Sequence, residues 1–253
     1  MTMPDLEQLR DDFDRDGFVI VRGLLDKALL ATAETNVARY ICDIVPTLPQ
    51  DTAFFTDYDQ PETLCKMQRL NQHDDWFADF FEHGPHASLI ECFLRDAFDP
   101  QGIEWFDKLP GAEGTPAHQD GFYWCRKPNN ACSVWIALDR ADADNGCLWY
   151  VPGFHKRGIE PHAASGILGF SQGLVDFDPA TAADAVPAEL EPGDAVVHHA
   201  AAVHWTRSNS TQRHRRAISI FAFGAGTELD EEAMARYKAS LKQQLEDRGI
   251  EVE

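Results

Sequence analysis

The 253-residue sequence predicts a mainly β fold with flanking helices, built as an antiparallel barrel or double sheet. Short runs rich in Val, Ile, Trp and Phe, punctuated by Pro-Gly, Asn-Gly and Gly-Asp, fill residues 101–224. Two of those runs, 131–138 and 215–220, alternate between a small or polar face and an apolar one. Helical patterns are confined to the first hundred residues and the last 25. The composition, 44% hydrophobic and 25% charged, is that of a globular chain long enough to bury a core without disulfides or a structural metal. A single domain over 1–253 is expected: N-terminal helices and edge strands over 1–100, a β core over 101–224 with an insertion at 156–191, and a C-terminal helix over 225–253.

In chain order, residues 4–15 read as a short helix, and Asp16-Gly17 turns the chain into the β-rich run Phe18-Val19-Ile20-Val21. A second helix is expected over about 25–44, and an irregular loop rich in Pro, Asp and Thr over 45–64. Lys66-Met67-Gln68-Arg69-Leu70 reads as a strand. Residues 74–97 are helical, broken in two by Gly84-Pro85. The stretch 156–191 is acidic and weakly periodic, so a lid or substrate-facing loop is expected. A charged helix over 229–253 ends the chain.

Twenty-two basic against 42 acidic residues give a formal charge of −20, which argues against a nonspecific grip on nucleic acid or an anionic membrane. Cys42, Cys65, Cys92, Cys125, Cys132 and Cys147 contain no CxxC pair, and the acidic N-terminus is unlike a signal peptide. A reducing, cytoplasmic setting is expected. No apolar run approaches the length of a membrane span.

On a strand, residues i and i+2 share a face, so His118-Gln119-Asp120 can aim an imidazole and a carboxylate at one point. That is two-thirds of the 2-His-1-carboxylate triad that binds Fe(II) and leaves positions open. A second His-x-Asp, His73-Asp74-Asp75, starts an acidic helical segment, where i and i+2 diverge by about 200°, and reads as a helix cap. Three histidines could complete the triad: His204 first, because Thr206 shares its face and adds a hydroxyl, then His199, then His198. Adjacent His198 and His199 must point opposite ways, so at most one faces a shared interior.

Arg213-His214-Arg215-Arg216 is the densest positive run and reads either as a solvated hairpin tip or as a local site for a small dianion. The following strand places Arg215, Ala217 and Ser219 on a face suited to a cavity wall, with Arg216, Ile218 and Ile220 on a face suited to packing against helices. A guanidinium beside a buried cavity is a partner for a carboxylate cosubstrate. Likewise Ser133, Trp135 and Ala137 alternate with Val134, Ile136 and Leu138, and Trp135 either lines the cavity or fills a core gap.

With these motifs the sequence resembles the phytanoyl-CoA dioxygenase (PhyH) family of Fe(II)- and 2-oxoglutarate-dependent oxygenases, from Asp16-Gly17-Phe18-Val19-Ile20 to about Phe223. The matching stretches are Phe106-Asp107-Lys108-Leu109-Pro110-Gly111 leading to His118-Gln119-Asp120, Asp144-Asn145-Gly146-Cys147-Leu148 with Pro152-Gly153-Phe154-His155-Lys156, and Gly193-Asp194 leading to His204. Asn209 and Arg215 fall five and eleven residues after His204, as in the family pattern. Phe154 departs from the Ser or Thr often found in its turn.

The resemblance implies a double-stranded β-helix (jelly roll, cupin-like). It also implies iron held by His118, Asp120 and His204, and 2-oxoglutarate held by Arg215 with Thr206 assisting and Trp135 lining the pocket. Fe(II), 2-oxoglutarate and O2 are the implied cofactor and cosubstrates. The implied reaction is hydroxylation of an unactivated C–H of a small molecule, releasing succinate and CO2. Related halogenases have a small residue in place of the metal carboxylate, so Asp120 argues for hydroxylation. Desaturation, epimerisation and cyclisation are alternatives within the chemistry, and a non-catalytic jelly-roll binding module is the alternative outside it. Candidate substrate contacts are Phe122, Tyr123, Trp124, Arg126, Lys127 and Asn129, together with the 156–176 loop.

Overall fold

The computed structural model describes residues 6–49, 52–167 and 170–247. Helix α1 (Leu6–Asp16) meets β1 (Phe18–Val21) at Gly17, whose φ is +84° and where a Cβ would stand 2.3 Å from the His155 ring. Helix α2 (Lys27–Arg39) is capped by the Asp26 carboxylate, which accepts from Leu29 N–H at 2.8 Å, and it runs on as a π-turn over Tyr40–Ile44. Strands β2 (Ala53–Phe55) and β3 (Leu64–Met67) follow. Helices α3 (Leu70–His73), α4 (Asp75–His83) and α5 (Ala87–Leu94) then lead into β4 (Phe98–Asp107). Asp74 caps α4 and pairs with Arg39 at 2.8 Å, which is the cap expected at His73-Asp74-Asp75.

Next come α6 (Asp120–Trp124), β5 (Arg126–Lys127), β6 (Ala131–Ala137), β7 (Leu148–Tyr150), β8 (His162–Ile167), β9 (Phe170–Leu174) and β10 (Val186–Ala188). The chain continues through β11 (Ala195–His199), β12 (His204–Thr206), β13 (Arg216–Gly224), β14 (Glu228–Leu229) and α7 (Glu231–Asp247).

The strands form a jelly-roll core of two facing antiparallel sheets, with no closed barrel among the described residues. The major sheet has the order β1-β11-β6-β13-β4-β3-β2 and the minor sheet the order β10-β7-β12. Alternation divides the major sheet as its period of two requires. Val134, Ile136, Ile218, Ile220, Val197 and Ile103 pack against α1, α2, α4 and α5. Each such fully buried aliphatic side chain contributes roughly 1.5–3 kcal/mol. On the other face Trp135, Ala137, Val196 and Ala217 meet Leu148, Tyr150, Ala188 and Leu190 of the minor sheet and its flanks.

Four sequence expectations change. The 45–64 stretch contains β2, which has no periodicity to announce it in three residues. The strand expected at 66–70 lies at 64–67, because Arg69 takes a left-handed φ of 61° and caps α3. The 156–191 stretch is not a plain loop: β8 and β9 form a hairpin, and β10 joins the minor sheet. His118-Gln119-Asp120 is not a strand throughout, since Asp120 opens α6. The outermost residues of the predicted terminal helices, 4–5 and 248–253, lie outside the described residues.

Candidate active site

An isolated antiparallel bridge couples His118 to His204: His118 N–H donates to His204 O at 3.0 Å and His204 N–H to His118 O at 3.1 Å. The rings are brought to 4.1 Å between centroids, and each Nε2 lies 3.7 Å from Asp120 Oδ1. One potential ligand atom from each of the three residues lies within 4.8 Å of the others. His118 Nδ1 is 2.8 Å from Pro116 O and His204 Nδ1 is 3.1 Å from Ala202 O. A carbonyl can only accept, so both Nδ1 atoms carry the proton and both Nε2 lone pairs face Asp120. This is the tautomer a metal ligand needs.

Electrostatics agree with the geometry. Burial lowers both histidines, His204 well below its ordinary value, so they stay neutral. Burial would raise the Asp120 carboxyl, but the hydrogen bond that His198 donates to Oδ2, which a neutral imidazole can make, favours the ionised form, and the carboxyl lies well below the usual range. Two neutral imidazoles and an ionised carboxylate are the protonation states that bind a divalent ion.

Two neighbours hold this arrangement. Gln119, fully buried, donates through Nε2 to Gly158 O at 2.9 Å and Ala201 O at 2.7 Å, and its Oε1 accepts from Glu160 N–H at 2.8 Å. It clamps the backbone between two ligand positions. Of the adjacent pair, His198 rather than His199 turns into the cavity: its Nε2 lies 3.0 Å from Asp120 Oδ2 and its Nδ1 2.9 Å from the buried Tyr150 hydroxyl. His199 faces Phe13 and His155 on the opposite side.

The histidines and Asp120 open onto a cavity of about 420 Å³ between the sheets. Arg215 lies in its wall, 6% exposed, with its guanidinium 5.0 Å over the Trp135 ring and Nη1 donating to Gly146 O. Its Nε is buried with no protein partner. Burial pushes Arg215 down to about 10, and the residue carries no carboxylate partner among the described residues. The Thr206 hydroxyl, beside it on the wall, accepts from Thr115 N–H at 2.9 Å and from Lys108 Nζ at 3.0 Å. Trp135, Ser133 and Ser219 complete this floor, as the alternation in their strands predicts.

The other sequence candidates divide. Tyr123 and Trp124 line the cavity, Tyr123 donating to Gln172 O at 2.6 Å and Trp124 stacking on Phe221 at 5.6 Å. Phe122 stacks on His162 behind them at 4.2 Å. Arg126, Lys127 and Asn129 do not reach the cavity, because Cys125 ends α6 with φ 50° and the chain departs as β5, paired with β14. Arg126 covers the Phe223 ring, Lys127 pairs with Glu228 at 3.8 Å, and the Asn129 side chain packs beside Gly121. The 213–216 run is not a joint anion site either. Arg213 pairs with Asp142, His214 with Asp107 and Arg216 with Asp139, which leaves Arg215 alone facing inward.

Sequence reasoning missed Lys66, Glu104, Phe106, Phe221 and Tyr237 of the cavity wall. The alternation of Glu104 and Phe106 with buried Ile103 and Trp105 was a usable signal. Tyr237 belongs to α7, where its ring meets Phe122 at 5.9 Å and Tyr123 at 5.7 Å, both edge-on.

A family model described as phytanoyl-CoA dioxygenase (PhyH) matches residues 13–217. The peroxisomal phytanoyl-CoA dioxygenase of Mus musculus is 36% identical over 229 residues, covering 85% of this chain and 67% of that protein. The solved structure of the α-ketoglutarate-dependent epimerase SnoN from nogalamycin biosynthesis superposes with a TM-score of 0.68 at 22% identity, over 88% of this chain and 83% of SnoN. EvdO2 from Micromonospora carbonacea var. aurantiaca, in complex with 2-oxoglutarate, gives 0.70 at 24% identity, over 88% and 93% of the two chains. At these identities the likeness to the solved structures establishes the fold.

Proposed function

Since the chain belongs to the phytanoyl-CoA dioxygenase (PhyH) family, we propose that it is an Fe(II)- and 2-oxoglutarate-dependent oxygenase that hydroxylates a C–H bond of a small molecule. The observation that carries this reading is one cavity with two ends: a neutral His, neutral His, ionised Asp cluster at one, and at the other a buried arginine with no carboxylate partner among the described residues. A binding module has no need of the second.

His118 Nε2, His204 Nε2 and the Asp120 carboxylate would hold the iron on one face. When bound, the iron with 2-oxoglutarate and O2 supplies the oxidising chemistry, with succinate and CO2 as co-products. His198 fixes the Asp120 carboxylate by holding Oδ2, so that Oδ1 stays turned toward the two imidazoles. Arg215 and Thr206 would bind the distal carboxylate of 2-oxoglutarate, with Trp135 lining the same pocket. Tyr123, Trp124, Phe221 and Tyr237 form the apolar wall that positions substrate and excludes water. Six free cysteines support a reducing compartment such as the cytoplasm. No helix among the described residues is long and apolar enough to cross a membrane.

Iron-supplemented protein should release succinate from 2-oxoglutarate in a screen of small substrates, and His118→Ala and Asp120→Ala should abolish it. Retained turnover in both variants would refute the assignment. Mass spectrometry of the product decides the reaction: gain of one oxygen supports hydroxylation. An unchanged mass with inverted stereochemistry supports epimerisation instead.

A further inference from the structure

Lys108 ends at the same place as Arg215 by a different route. Its backbone N–H donates to Arg215 O at 3.1 Å, and its carbonyl accepts from Asn209 Nδ2 at 3.0 Å. The side chain is 7% exposed. Its ammonium donates to Glu113 O and, at 3.0 Å, to Thr206 Oγ1. Its stem passes over Gly146, where a Cβ would stand 2.6 Å from Lys108 Cε. The same glycine gives its carbonyl to Arg215. Neither cation has a carboxylate partner within ion-pair distance among the described residues, and Arg215 is near enough to act on the Lys108 ammonium, which stands behind Thr206 in the cavity wall. A buried ammonium without a counter-ion costs several kcal/mol unless an anion joins it.

We propose that Lys108 is a positioning residue of the cosubstrate pocket, which orients the Thr206 hydroxyl and adds a second positive charge for the distal carboxylate of 2-oxoglutarate. The proposal rests on the oxygenase reading above. Thr206 Oγ1 accepts from both Lys108 Nζ and Thr115 N–H, so its two lone pairs are engaged and its own proton is left to be donated into the cavity. A lysine that only filled space would not need its ammonium on that oxygen.

Charge linkage gives the idea a signature. The groups around the ammonium are Arg215 at the edge of β13, the Thr206 hydroxyl on β12, and Cys147 beyond Gly146, a thiol that burial pushes up to about 12. The Glu113 side chain is exposed, and Asp107 is turned to His214. Burial, then Arg215, push Lys108 down to about 7. An arriving carboxylate favours the charged lysine, so above neutral pH binding must take up a proton.

The test is anaerobic calorimetry of 2-oxoglutarate binding to Fe(II)-loaded protein in two buffers of different ionisation enthalpy, over about pH 6–9. Wild type should bind with an affinity that is level below neutrality and falls by up to about tenfold per pH unit above it, with proton uptake. Lys108→Met should bind at least about tenfold more weakly near neutrality, with no slope and no uptake. Lys108→Arg, charged throughout, should bind within a few-fold of wild type and also without slope. Equal affinity in Lys108→Met, or wild-type slope and uptake in either variant, overturns the proposal. Should Lys108→Met not fold, wild type and Lys108→Arg decide it by the same slope. Absence of 2-oxoglutarate binding by wild type overturns the oxygenase reading as well, a result distinct from the others.

Discussion

Replacing Asn209 with Ala tests the joint that holds both cations in place. Asn209 is 1% exposed, and its Nδ2 donates to Lys108 O at 3.0 Å, Leu109 O at 3.2 Å and Arg213 O at 2.7 Å. Its Oδ1 accepts from Thr211 N–H at 3.0 Å and Thr211 Oγ1 at 2.8 Å. Leu109 O keeps a second donor, Ala112 N–H at 3.0 Å, and the Thr211 groups are close to solvent. The loss therefore falls on the buried carbonyl of Lys108, since Arg213 lies at the surface. Leaving a buried carbonyl unsatisfied costs about 1–3 kcal/mol, so Asn209→Ala should lose roughly 1–3 kcal/mol of stability. Because Asn209 ties Lys108 to the turn that leads into Arg215, the affinity for 2-oxoglutarate should fall with it. Equilibrium urea denaturation of the metal-free protein, followed by tryptophan fluorescence, measures the first effect and calorimetry the second. A loss below about 1 kcal/mol with unchanged 2-oxoglutarate affinity would show that the bonds are replaceable and the reasoning wrong.

Three further outcomes are expected. His198→Phe removes the donor to Asp120 Oδ2 and should weaken Fe(II) binding by about 10–100-fold in a metal titration, with His198→Gln recovering part of it; equal affinity in His198→Phe refutes the role. Tyr237→Ala should leave 2-oxoglutarate affinity unchanged but raise the ratio of succinate to oxidised product severalfold, and an unchanged ratio means that α7 is not a functional wall. Burial depresses His86, His162 and His199 to about 4 each, so the unfolded chain takes up their protons near pH 6.5 and the folded chain only near 4. Stability is then lost as pH falls across that window, and with His118, His155 and His204 depressed in the same direction the histidines allow a slope of up to six protons in the denaturation midpoint against pH.

The faces of β6 and β13 were legible because alternation is local: Ser133 and Ser219 against Val134 and Ile220 need no knowledge of the rest of the chain. The eleven-residue spacing from His204 to Arg215 carries meaning only through the resemblance to the PhyH family. The choice between His198 and His199 was not, because alternation separates them without saying which faces inward. That is fixed by register, where His198 stands opposite Ser133 of β6 and Phe18 of β1. Gln119 and Lys108 were invisible as contributors because their partners, Ala201 O and Thr206 Oγ1, lie far along the chain. The basic run misled because its charges looked concerted. Three of the four residues are paired with Asp142, Asp107 and Asp139, the first and last from the connection after β6 and the second from the end of β4.

The pairing of β1 with β11 also has a consequence during synthesis. β1 leaves the ribosome long before β11, the strand it pairs with in the major sheet, and His118 emerges well before His204 and Arg215. At about 5–20 residues per second that interval is on the order of ten seconds. Through it β6 has neither of its sheet neighbours, β11 and β13, so both of its edges are unpaired, and folding dominated by such distant pairings is slow. On the proposed assignment of His118, Asp120 and His204, iron would be captured by the finished set only after β12 is made, so metal loading would report a completed fold and could not guide an early one.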